Sequence, residues 1–206
     1  LSNMGTGIMI YFGTGRYFDF SHVSVSNSLN VQSFYAIQDR GGWEQSERKA
    51  INKLNDLISQ TLTDNGDHRD LVPKLVDYNA GDLGWYINLP NYGERIVDRP
   101  IGILSHIGFN SIIPLHRARC SFDTDSWFTL ARMDNAGPLN SKNKNGISSI
   151  SHQSLSPGPV LIQSGDGQLS AHYPRYNESE DLDTGPRFII SKRYNRSTWR
   201  KIQFSD

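Results

Sequence analysis

Cysteine is almost absent from this 206-residue chain: Cys120 stands alone, which excludes an internal disulfide and a multi-thiolate zinc site. The plainer reading of Cys120 is a small buried hydrophobe; the other is a bond to a partner in a segment outside this chain. Net charge is absent too, with 21 basic residues against 21 acidic ones. A nucleic-acid binder presents a basic face, and this balance weighs against one. No stretch approaches the roughly 18 consecutive apolar residues of a membrane-spanning helix. Residues 1–7 hold no basic segment followed by an apolar run, so no signal peptide is read there and a cut end is expected. Aromatic side chains, by contrast, make up 11% of the chain, which argues for a buried core rather than disorder. The length fits one compact domain or part of a larger one.

Recognised catalytic patterns are missing as well. Gly13-Thr14-Gly15 starts like a dinucleotide fingerprint, but Phe18 stands where the third glycine belongs and no helical pattern follows. There is no P-loop, no nucleophile elbow and no paired-histidine zinc helix. The six histidines (His22, His68, His106, His116, His152, His172) are scattered singly, as surface or satisfied residues usually are. Asp64, Asp67 and Asp70 cluster around His68, and Asp123 and Asp125 precede Trp127. Either group offers oxygen ligands to a hard cation, but neither has the spacing of a calcium loop, and turn capping explains both more simply. Asp82 and Glu94 can be drawn as an acid–base pair, with no geometry in the sequence to support it. No catalytic, cofactor-binding or metal-ligating residue is therefore assigned.

The pattern along the chain is mostly strand. Residues 8–12 form a short apolar run closed by Gly13-Thr14-Gly15, as expected of a strand buried on both faces. Residues 31–37 alternate, with Val31, Ser33, Tyr35 and Ile37 on one face and Gln32, Phe34 and Ala36 on the other. Strands are also expected at 86–89, 95–97, 101–107, 111–115, 127–133, 160–163, 169–173, 187–191 and 198–204. One segment departs from this pattern. Ala50, Ile51, Leu54, Leu57, Ile58 and Leu62 recur at steps of three and four, which predicts an amphipathic helix over 44–58, closed by Asp64-Asn65-Gly66-Asp67. Residues 135–159 and 174–186 read as surface loops, the first of them mobile. The basic cluster Lys192, Arg193, Arg196, Arg200 and Lys201 reads first as a charged strand edge, and alternatively as a contact for an anionic partner. Asn177 and Asn195 each open a glycosylation sequon, a pattern common by chance.

Several segments in register resemble the C-terminal domain of the PilC/PilY family of type IV pilus tip-associated adhesins. Residues 8–18 are similar to the family's apolar strand followed by Gly-Thr-Gly, a basic residue and Tyr. Residues 32–39 and 56–62 resemble the next segments, and the second of these competes with the helix there, which is ended near Ile58. The most specific block is 84–100, Gly-Trp-Tyr-Ile-Asn-Leu-Pro, a turn, then Gly-Glu-Arg-Ile-Val-Asp-Arg-Pro. Residues 120–138, 159–169 and 196–200 complete the likeness, which covers nearly the whole chain.

The resemblance implies an all-β fold, part of a modified β-propeller with several antiparallel blades and one inserted helix near 44–58. Residues 1–206 would then be a C-terminal propeller-like domain lacking the upstream blades. It implies a non-catalytic, secreted surface domain at the pilus tip, supporting pilus biogenesis and host-cell adherence. Minor pilins of the tip and a host receptor or glycan are the implied partners. The family's Asp-rich calcium loop would lie upstream of Ile8, so calcium is left to that missing part and no cofactor is assigned here. No Arg-Gly-Asp tripeptide supports an integrin-type contact. Within 84–100, Trp85 and Tyr86 are expected in the core, Asn91-Tyr92-Gly93 in a turn, and Glu94 and Arg95 in an ion pair. The resemblance supplies no ligand-contacting residue, and the two loops are the places to look for one. Two other readings are a quinoprotein-like propeller enzyme and an assembly scaffold without receptor binding.

Overall fold

The computed structural model of the chain describes residues 7–15, 31–41, 50–66, 68–103, 105–114, 124–138, 147–152, 160–163, 169–176 and 182–191. The described elements run in the order β1 (Ile8–Gly13), β2 (Ser33–Asp39), α1 (Lys53–Asp56), β3 (Ile58–Asp64), β4 (His68–Val72), β5 (Gly84–Asn88) and β6 (Ile101–Ile103). Then follow β7 (His106–Pro114), β8 (Thr124–Arg132), β9 (Ile147–His152), β10 (Val160–Gln163), β11 (Leu169–Tyr176) and β12 (Leu182–Ser191). The fold is all-β, as expected. Among the described residues no helix is long and apolar enough to cross a membrane. Two compact units divide the chain, Leu1–Leu155 and Ser156–Asp206.

In the first unit nine strands form one continuous sheet in the order β1-β2-β5-β3-β4-β9-β8-β7-β6. Every neighbouring pair is antiparallel except β3 and β5, which run parallel with Ile58 opposite Trp85. No closed propeller is shown: blades are separate four-stranded antiparallel sheets, whereas these strands share one sheet with a parallel pair inside it. Alternation decides which side chains meet. Phe34 and Ala36 of β2 and Trp85 and Ile87 of β5 point to one face and are fully buried there. Ile107 and Phe109 of β7 join the same cluster, and Phe34 stacks on Phe109 with centroids 4.0 Å apart. Strands β2 and β7 are far apart in the sheet order, so the sheet folds over and the two regions share one core. Burying each such aromatic contributes about 1.5–3 kcal/mol.

The Gly13-Thr14-Gly15 segment is a close-packing device. A Cβ on Gly13 would lie 2.3 Å from Ile96, and one on Gly15 would lie 2.6 Å from the Arg95 side chain. Between them the Ile96 amide donates to the Thr14 carbonyl at 3.0 Å.

Several expectations for these strands are corrected. Of the helix expected over 44–58, the described residues 50–58 hold a single turn, Lys53–Asp56, and 42–49 lies outside the described residues. Asn52 caps the turn by accepting from the Leu54 amide, and Leu57 is already extended. From Ile58 the chain pairs with β5, and Gln60 and Leu62 turn inward at a period of two. The spacing of 54, 58 and 62 fits both periods, Leu57 fits only the helical one, and burial in the sheet wins. Leu54, on the helical turn, stays exposed. Second, β1 is not buried on both faces: Ile8 is 72% exposed, and Ile10 and Phe12 lie exposed on the same side of the strand. Third, the stretch 135–159 holds β9, which pairs with β8 and β4; 139–146 and 153–159 lie outside the described residues.

The second unit contributes β10, β11 and β12 as an antiparallel meander. Pro174 sits in the central strand, and the register shifts between His172 and Pro174. A proline has no N–H for the ladder, so a bulge there is its natural accommodation. Most of the expected loop 174–186 is strand, with 177–181 outside the described residues, as are 198–204, Cys120, the basic cluster and both sequon asparagines.

Candidate functional site

Strand β4 places Arg69 and Leu71 inward, so a guanidinium enters the sheet interior with no exposed surface. A buried charge is tolerated only when paired and hydrogen-bonded. Arg69 Nη1 and Nη2 donate to Glu94 Oε1 and Oε2 at 2.6 and 2.9 Å. Its Nε donates to Asp64 Oδ2 at 3.2 Å, and its plane lies over the Trp127 ring at 3.8 Å. Ser111 Oγ donates to Glu94 Oε1, and the Asn91 amide donates to Glu94 Oε2 at 3.2 Å. The turn that carries Glu94 closes by the Glu94 amide donating to the Asn91 carbonyl, with Gly93 at φ 75°. Glu94, Arg69 and Ser111 are all buried. A substrate does not reach this trio, and its hydrogen bonds serve the structure.

Above this buried pair lies an open cleft of about 480 Å³. Asp64, Gly66, Asn91 and Asp125 form its polar lining, and Tyr92, Ile113 and Trp127 its apolar lining. Asp64 Oδ1 accepts from the Gly66 amide at 3.0 Å, and Oδ2 accepts from Asn91 Nδ2 at 3.0 Å. Burial acts to raise the Asp64 pKa, but the Gly66 N–H, the Asn91 amide and the Arg69 guanidinium outweigh it. The carboxyl is held below the usual carboxylate range. Tyr92 stands on the rim, 53% exposed.

A second network ties the end of β8 to the rest of the first unit. Tyr11 Oη and Trp85 Nε1 both donate to the Met133 carbonyl at 3.1 Å, and Tyr78 Oη donates to the Asp134 carbonyl at 2.7 Å. Burial, with Asp134 nearby, pushes the Tyr11 hydroxyl up to about 12. Burial likewise raises Tyr78. On the opposite face of β5, Lys53 Nζ lies 4.4 Å from the Tyr86 centroid and donates to Asn88 Oδ1 and Ser33 Oγ.

Sequence expectations meet this geometry unevenly. Trp85 is core, and Tyr86 is buried on the other face against Tyr35 and Lys53. Glu94 pairs with Arg69 rather than with Arg95, whose Nε donates to the Gly93 carbonyl. Asp82 and Glu94 serve different networks, since Asp82 accepts from the Asp77 amide. Of the acidic cluster, Asp64 joins the cleft and Asp70 accepts from Asn65, while Asp67 lies outside the described residues. Asp125 lines the cleft, and Asp123 is outside the described residues. Among the described residues no three His, Cys, Asp or Glu side chains come together as a metal site would need. His106 is half-buried; desolvation first, then the Arg132 charge, lower its pKa against the pull of Asp134. Arg69 was not singled out from the sequence, since its inward position shows only once β4 is placed.

Over 126 residues the chain is 27% identical to a type IV pilus biogenesis factor PilY1 homolog of Xylella fastidiosa (strain Temecula1), covering 59% of this chain. The chain spans about 8% of the length of that curated relative. No family model matches the chain, and no solved structure matches it.

Proposed function

We propose that the chain is a non-catalytic surface domain of a type IV pilus assembly and adhesion protein, belonging to the C-terminal part of a PilC/PilY-type molecule. The observation that carries this reading is the 27% identity over 126 residues to a pilus biogenesis factor. The motif block at 84–100 supports it from within the chain: it builds β5, the turn and the Glu94 carboxylate that holds Arg69. The all-β architecture agrees with it, and the sheet is read as part of a modified propeller whose other blades lie elsewhere in the longer protein. The proposed place of action is the outer surface at the pilus tip, with minor pilins and a receptor or glycan as partners.

The test is made in the source cell, by deleting the gene, counting surface pili by electron microscopy and scoring adherence. Lost pili assign the protein to assembly. Normal pili with lost adherence assign it to adhesion. An unchanged phenotype with no compensating copy overturns the proposal.

A further inference from the structure

We propose that the cleft beside Tyr92 is a carbohydrate-binding site for a terminal neutral hexose. The inference deepens the adhesion reading and rests on it only for where the sugar is found. The cleft, at about 480 Å³, falls within the size of small-ligand sites. A pyranose has a flat C–H face and a rim of hydroxyls, and it needs an accessible ring beside planar hydrogen-bonding groups. Tyr92 supplies that ring, since half its surface is open at the rim. Asp64, Asn91 and Asp125 supply the planar groups.

Two of those groups, Asp64 and Asn91, are positioned before any ligand arrives. The Gly66 amide, the Asn91 side chain and Arg69 Nε hold the Asp64 carboxylate from three directions. A fixed group loses little freedom on binding, which removes a usual cost of recognition. The same bonds indicate the ligand's charge. A carboxylate has about four acceptor positions, and Asp64 gives three to protein N–H groups, leaving one direction suited to a hydroxyl. An anionic sugar meets Asp64 and Asp125 and is repelled. The two carboxylates attract a cation as well, and the acetyl-lysine amide comparison decides between the two.

The experiment is saturation-transfer NMR on the purified full-length protein with methyl β-galactopyranoside and methyl α-glucopyranoside. N-acetylneuraminic acid and acetyl-lysine amide are the charged comparisons. Saturable binding of a neutral glycoside is expected, unchanged by a chelator. The variant Tyr92→Ala weakens it about tenfold or more, whereas Tyr92→Phe, which keeps the ring, stays within about threefold. Because Tyr92 is exposed, both variants are expected to fold, and their melts check this. No saturable neutral-sugar binding, equal binding by Tyr92→Ala, loss on chelation, or preference for either charged probe overturns the proposal. Failure here with pili or adherence lost on deletion sinks the cleft alone and leaves the pilus reading standing. Once binding is established, inhibition of adherence by the free glycoside assigns the sugar to the target cell. Unaffected adherence assigns it to the pilus itself.

Discussion

Arg69 shows how one charge organises the first unit. Its guanidinium joins Glu94, Asp64 and Trp127, which lie on the turn before Arg95, at the end of β3 and on β8. Removing it leaves the buried Glu94 charge without its counter-ion, so Arg69→Ala should cost about 3–5 kcal/mol in a urea melt. Pairing Arg69→Met with Glu94→Gln removes both charges, and the double variant should recover a large part of that loss. A double variant as unstable as Arg69→Ala would show that packing, not charge, dominates. Asp64 gives a pH signature with a definite sign. Its pKa is lower in the folded state, so its contribution is fully present above the unfolded value, about 3.9, and fades as pH falls through the folded one. Asp64→Asn should therefore be less stable than the parent at pH 7, with the gap closing below about pH 4. A gap independent of pH would assign the effect to shape alone.

Strands expose a different limit on what sequence conveys. Strand β5 was legible because Trp85, Tyr86 and Ile87 alternate between two faces that both find cover. Trp85 contacts Phe34 and Tyr11 and donates to Met133. Its truncation to Ala should cost about 3–5 kcal/mol in a thermal or chemical melt; a melt unchanged within error would remove it from the core. Strand β3 was not legible, since Leu54, Ile58 and Leu62 satisfy a helical period as well as an extended one. What decides is the parallel pairing with β5 across the intervening β4 hairpin. Strand β9, Ile147–His152, lacks large side chains apart from its isoleucines and His152, and its place between β4 and β8 gives it definition instead. The cleft was legible only in pieces: Asn91-Tyr92-Gly93 as a turn, Asp64 as a cap, Asp125 as an acid. Their convergence depends on non-local pairings that no local spacing encodes.

At the level of the whole molecule, the separation between scaffold and surface makes the pilus reading testable in one strain set. The first unit buries its aromatic core around Trp85, while Tyr92 stands on the rim of the cleft. A deletion strain complemented with Trp85→Ala should lose protein by destabilisation, and pili or adherence should fall with the amount that survives. Complementation with Tyr92→Ala should leave protein level and pilus number at the parental value, because an exposed rim residue carries little of the stability. If the surface near the cleft engages a sugar, adherence in that strain drops while pili persist. If pili disappear with Tyr92→Ala although the protein is present at full level, the rim serves assembly and the contact is with a pilus component. The two variants thus separate a requirement for the fold from a requirement for one exposed ring, a distinction that deletion alone does not make.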